Sequence, residues 1–151
     1  MNSFIKKLVK NKTIKLTEPN QIICSSYLQK SDSSLLATKT LLTIKTYDEA
    51  TALVYYSMYH SALALMFKTG IKCENHTATI ILLKEIFDID NKELAKAKEE
   101  RIDKQYYIEY KATKEQVETG IKIAENINGI IRDKIESLTE NGIKQIRDKF
   151  K

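Results

Sequence analysis

Residues 50–67 read ATALVYYSMYHSALALMF, eighteen positions without one charged side chain. Ala50, Leu53, Val54, Ser57, Ser61, Ala62 and Leu65 recur three and four apart as a small and aliphatic stripe. Tyr55, Tyr59, Leu63, Met66 and Phe67 make a second. A helix apolar on nearly all sides is enclosed by neighbours, so this segment is predicted to be the hub of a helical domain. Thr46-Tyr-Asp48-Glu49 has the spacing of a capping box that launches it, and Gly70 supplies the left-handed residue that ends it.

On either side the period remains helical and strand signals are nearly absent. Thr17-Glu-Pro19-Asn20 reads as an N-cap with proline in the first turn. It opens a stretch carrying Ile23, Tyr27, Leu35 and Leu42 that is either one helix or two, because the polar Ser31–Ser34 run competes for backbone hydrogen bonds. Asn75 caps a short helix with Ile80, Ile81, Leu83 and Phe87, and Asp90 with Glu93 caps a charged one running towards Lys104. Thr113-Lys-Glu-Gln116 is a second capping box. It opens a long helix with Val117, Ile121, Ala124, Ile131, Ile135 and Leu138 along one side, a seam suited to internal packing or to a dimer face. Gly120 and Gly129 each cost that helix about 1 kcal/mol relative to alanine. The last segment, 139–151, is a terminal helix or a tail.

The fold class expected is therefore all-α, an up-and-down bundle of four to five helices over 17–138, preceded by an N-terminal arm over 1–16. With 151 residues, 42% hydrophobic and 30% charged, the chain is long enough for one core without disulfide or metal. The net charge of +5 resides in the arm: without Lys6, Lys7, Lys10, Lys12 and Lys15, the remaining 20 basic residues balance 20 acidic ones. Phe4, Ile5, Leu8 and Val9 make the arm amphipathic, so packing onto the body competes with phosphate binding. The tyrosines, serines and histidine in the middle of 50–67 argue against a membrane span. No export signal is legible, and two distant cysteines suit a reducing compartment, so a cytoplasmic location is expected.

Two chemical constellations are weak. Cys24, His60, Cys73 and His76 would make a zinc set from every cysteine and histidine, but without the paired knuckle such sites use, so no metal or other cofactor is expected. Ser57 and His60 stand one turn apart without an orienting acid. The stretch EERIDKQYYIEY is more informative, with Arg101 ahead of Tyr106, Tyr107 and Tyr110 and beside Asp103. A guanidinium near phenols suits a phosphate or nucleotide.

Three segments in order resemble the HEPN family: YDEATALVYYSMYHSALALMFKTGIK, with its acidic Asp48, paired Tyr55 and Tyr56, and His60; NHTATIILLKEIF; and ERIDKQYYIEYKATKEQVETGIKIAENI. The resemblance covers roughly residues 22 to 136. It implies a helical bundle, usually a homodimer, often paired with a minimal nucleotidyltransferase in toxin–antitoxin systems. It also implies, in many members, metal-independent ribonuclease activity through an arginine followed four to six residues later by a histidine. Here Arg101 matches the arginine, but Tyr106 stands at the histidine's place. The resemblance thus favours a binding module that engages a partner, RNA or a nucleotide around Arg101, Asp103, Tyr106 and Tyr107. The alternative is a divergent ribonuclease drawing on Arg101, Tyr106 or His60. Tyr106, Tyr107 or Tyr110 is a possible acceptor for nucleotidylation by such a partner.

Overall fold

A computed structural model describes residues 1–109 and 111–151, side chains included except those of residues 104–106. The described elements are α1 (Ser3–Lys10), β1 (Ile14–Leu16), α2 (Gln21–Thr43), α3 (Tyr47–Thr69), β2 (Ile71–Cys73), α4 (His76–Phe87), α5 (Lys92–Tyr106), α6 (Lys114–Ser137) and α7 (Glu140–Asp148). The fold is an all-helical bundle with one small antiparallel ladder, in which Ile14 faces Cys73 and Leu16 faces Ile71. The hydrophobic pattern missed that ladder because three-residue strands are too short to establish a period of two.

α3 is the hub, packed against α2, α4, α5 and α6. Val54, Tyr55, Met58, Tyr59, Ala62, Leu65 and Met66 are all buried along it. Its small residues permit close neighbours. The Cβ of an alanine at Gly120 on α6 would lie 3.2 Å from Val54 Cγ1, so that glycine belongs to a tight crossing. Gly129 faces open space and has no such reason.

Ser31 does not interrupt α2, which runs unbroken through 31–34. Its hydroxyl leaves the local backbone and donates to Ser57 O at 2.7 Å, while Ser57 Oγ donates to Ser31 O at 3.0 Å. Asn128 on α6 completes the arrangement, donating to Ser57 Oγ at 2.9 Å and accepting from Ser61 Oγ at 2.8 Å. A buried polar group left unpaired costs about 1–3 kcal/mol, so this satisfied network fixes how α2, α3 and α6 meet. It also disposes of Ser57 as a nucleophile, since its hydroxyl is committed to the core.

Several caps differ from expectation. Asn20, not Thr17, caps α2, accepting from Ile23 N. Thr17 is engaged elsewhere, its N–H donating to Gly70 O at 2.8 Å, which lays this segment along the end of α3. Thr46 is the N-cap of α3 but makes no side-chain bond, because its ψ of 74° is far from the extended geometry that aims a hydroxyl at the first turn. Thr113, at φ −104° and ψ 160°, has that geometry and forms the full capping box with Gln116. α5 is capped by Asn91, whose amide instead donates to Ile80 O at 2.8 Å.

The N-terminal arm contributes Ile5, Leu8 and Ile14 to the same buried cluster as α3. Residues 140–148 form a helix that buries Ile146. Arg147 of that helix donates through Nη1 to Thr17 O, Thr69 O and Gly70 O at 2.6, 3.1 and 3.3 Å, tying both chain ends to the terminus of α3. Among the described residues no helix is long and apolar enough to cross a membrane.

Candidate functional site

One side of α3 is aromatic, with Tyr55 and Tyr59 buried and Tyr56 and His60 half-buried. The i, i+4 spacing aligns Tyr55 with Tyr59 and Tyr56 with His60, giving two adjacent rows on one helix. The Tyr55 and Tyr59 rings stack at 5.7 Å, and the Tyr56 and His60 rings at 5.9 Å. α2 brings Tyr27 against His60 at 5.8 Å and against Phe67 at 5.4 Å. α4 begins with His76, which stacks on Tyr59 at 4.0 Å.

Arg101 reaches these rows from α5. Its guanidinium lies 5.0 Å from the Tyr55 ring and 5.5 Å from the Tyr56 ring, and Nη1 donates to Tyr56 OH at 2.9 Å. Across Tyr55 stands His76, whose Nδ1 is 2.7 Å from Tyr55 OH. Burial raises the Tyr55 phenol far above its ordinary value, so it stays protonated and is the natural donor to Nδ1. The His76 proton then belongs on Nε2. Burial likewise pushes the Tyr59 phenol up to about 12.

Both imidazoles are held below their ordinary range. Burial is the main cause in each, followed for His60 by Lys30 and for His76 by Arg101. They are therefore neutral at pH 7. Two buried polar side-chain atoms of the described residues have no hydrogen-bond partner, His60 Nδ1 and Arg101 Nε, and both belong to this cluster. Orphaned buried polar atoms are uncommon in native folds and mark strain or a ligand's place.

The depressed imidazoles make stability depend on pH. An unfolded histidine titrates near 6.5 and these two titrate lower when folded, so between those values the unfolded chain binds more protons. Stability is full above about pH 6.5 and declines as pH falls through the folded values. Urea melts at pH 7.5 and pH 5.5 are expected to show the loss, and the His60→Gln, His76→Gln double variant to flatten it. An unchanged slope in that variant would assign the acid sensitivity elsewhere.

Of the residues singled out in the sequence, Arg101, Tyr55, Tyr56 and His60 come together here. Asp48 does not join them: it sits in the first turn of α3, where Oδ1 accepts from Ala112 N at 2.8 Å and anchors the approach to α6. Asp103 lies two residues beyond Arg101, about 200° around the same helix, and so faces away from Arg101. Tyr107 ends α5 and is half-exposed. Tyr110 lies outside the described residues, as does the side chain of Tyr106.

Tyr27, Tyr59 and His76 are the members the sequence reading missed. The i, i+4 repeat of Tyr55 and Tyr59 was a usable signal. Tyr27 and His76 arrive by tertiary packing, and the sequence marks His76 only through its spacing from Cys73 and the segment NHTATIILLKEIF. Cys24 is buried, with its thiol pushed up by that burial. Among the described residues no three histidine, cysteine, aspartate or glutamate side chains converge as a metal site would need.

In chemical terms, a guanidinium and neutral imidazoles are set among aromatic faces on one half-buried surface. Such surfaces hold phosphates by charge and bases by stacking. Residues 24–134 match a family model described as HEPN domain. No curated protein matches the chain.

Proposed function

The chain belongs to the HEPN domain family, and from that premise we propose that it is a binding module for single-stranded RNA or nucleotide. Family membership by itself supports an RNA- or nucleotide-related role. The finer reading rests on one observation: the two orphaned buried nitrogens, Arg101 Nε and His60 Nδ1, both belong to an aromatic surface that also carries His76. Arg101 binds phosphate, Tyr56 and Tyr27 offer faces for bases, and Lys30, 5.4 Å from the Tyr27 ring, extends the positive charge along α2.

The electrostatics favour binding over cleavage. Transesterification of RNA by paired acid and base needs one neutral and one protonated group. Here both imidazoles are held neutral and the buried phenols are poor acids at pH 7. A second reading, ribonuclease activity, draws on the hydrogen bond that orients His76 within this cluster. A labelled strand separates the two. Binding is expected without shortening of the strand, about ten-fold or more tighter for single strand than for duplex because stacking needs unpaired bases. Cleavage lost in both Arg101→Ala and His76→Gln would establish the second reading instead.

A nucleotidyltransferase partner, with modification at Tyr106, Tyr107 or Tyr110, rests on the resemblance alone. Homodimer formation has a surface suited to it. Ile22, Ser26, Gln29, Ser33, Leu36 and Thr40 run along the outside of α2 without a charge, and Ile22 and Leu36 are 81% and 68% exposed. Sedimentation is expected to show a dimer that Leu36→Glu converts to monomer, and a wild-type monomer at micromolar concentration would remove this proposal.

A further inference from the structure

Beyond Arg101 the aromatic surface opens into a separate cleft of about 280 Å³ between α2, α3 and β2. Tyr27, Tyr59, Leu63 and Phe67 line it, with His76 and the β2 segment. At its rim stand two charged side chains of opposite sign, Lys72 and Glu74, with Lys72 Nζ 3.4 Å from Glu74 Oε1. The volume is small beside that of drug-sized ligand pockets and suits one planar ring system.

Ile71 and Cys73 of β2 are buried and Lys72 between them is exposed. Glu74 directly follows the strand, and the ion pair holds it beside Lys72. The pair is exposed, at 50% and 80%, and an ion pair so exposed contributes little to stability. Its side chains are free to rearrange around a ligand. A carboxylate only accepts, and an ammonium only donates.

We infer that this cleft is a nucleobase subsite with a preference for guanine, the base packing among the half-buried Tyr27, Leu63, Phe67 and His76 side chains while Glu74 and Lys72 read its edge. Guanine carries two adjacent donors, N1–H and the 2-amino group, which pair with the two oxygens of one carboxylate. Its neighbouring O6 accepts from the ammonium. Adenine and cytosine each place a ring-nitrogen acceptor beside a single exocyclic donor, so one carboxylate oxygen would face a lone pair. Uracil has one N–H between two carbonyls. The same rim that rewards guanine therefore penalises the other three bases.

This inference rests on the RNA- or nucleotide-binding reading, and the experiment separates the two. Oligouridine strands with one central guanine, inosine or adenine are titrated into wild type, Arg101→Ala and Glu74→Ala. The guanine strand is expected to bind about five-fold or more tighter than the adenine strand, the low end of what a good bidentate base contact discriminates. Inosine, which lacks the 2-amino group, is expected between them, and Glu74→Ala is expected to erase the differences among the three strands. Equal affinity for all three strands, or a preference that survives Glu74→Ala, overturns the guanine subsite and leaves the binding reading intact. Should no strand bind, the RNA-binding reading falls, and guanosine alone is titrated by NMR. Shifts at Tyr59, Cys73 and His76 with guanosine but not adenosine would uphold the cleft, and their absence would overturn it.

Discussion

Arg101→Ala is expected to weaken binding of single-stranded RNA by about ten- to a hundred-fold, the range of a lost charge-assisted hydrogen bond. The guanidinium is a fixed cation over two tyrosine rings, and its buried Nε–H has no hydrogen-bond partner. Arg101→Lys separates these contributions. It retains the charge but not the planar fork, and is expected to fall between wild type and alanine. Thermal melts must accompany both, because Arg101 also donates to Tyr56 OH. Loss of binding in a variant that melts at the wild-type temperature assigns the effect to the surface; equal affinity in all three proteins would remove Arg101 from it.

Gly70→Ala is expected to be the most damaging single methyl addition to the fold. Gly70 ends α3 at φ +71°, a conformation that costs a residue with a Cβ roughly 1–2 kcal/mol. The added Cβ would also collide with Thr17 O and the Arg147 guanidinium, displacing the clamp that joins both chain ends to α3. Together these are expected to cost about 3 kcal/mol, or roughly 10 °C in melting temperature for a chain of this size. Arg147→Ala removes the clamp without straining the backbone and is expected to cost about half as much. Equal, small losses in the two variants would show that the segment accommodates the methyl.

The fold was legible wherever it depended on local pattern. The uncharged run at 50–67 gave away α3 because enclosure on all sides leaves no polar face to detect. Thr113 with Gln116, Asn75 and Gly70 marked helix ends through their own side-chain or backbone chemistry. Thr46 carried the right residues but not the ψ angle that makes them a cap, and that angle is set by the turn joining α2 to α3. Ser31 looked like a flaw in α2 because its partner, Ser57, is 26 residues away. The ladder of β1 with β2 is likewise invisible locally, since its strands are separated by two long helices.

The candidate site divides in the same way. Tyr55, Tyr56 and His60 share one helix, so their alignment follows from the helical period. Arg101 and His76 reach that helix from different elements, α5 and α4, and only packing brings both against Tyr55. Read in order, the chain has no histidine after Arg101 and thus lacks the expected imidazole. In three dimensions an imidazole that precedes Arg101 in the chain stands beside the same tyrosine. Its neutral state and its hydrogen bond to Tyr55 decide what it contributes, and neither is legible from spacing.

Photo-crosslinking of single-stranded RNA to the protein, mapped by peptide mass spectrometry, locates the surface that RNA occupies. Bound RNA is expected to crosslink at Tyr27, Tyr56 and neighbouring α3 residues, with those adducts lost in Arg101→Ala. Crosslinks confined to the lysine-rich α1, and unaffected by Arg101→Ala, would remove the aromatic surface from RNA binding and make it a property of the basic N-terminal segment.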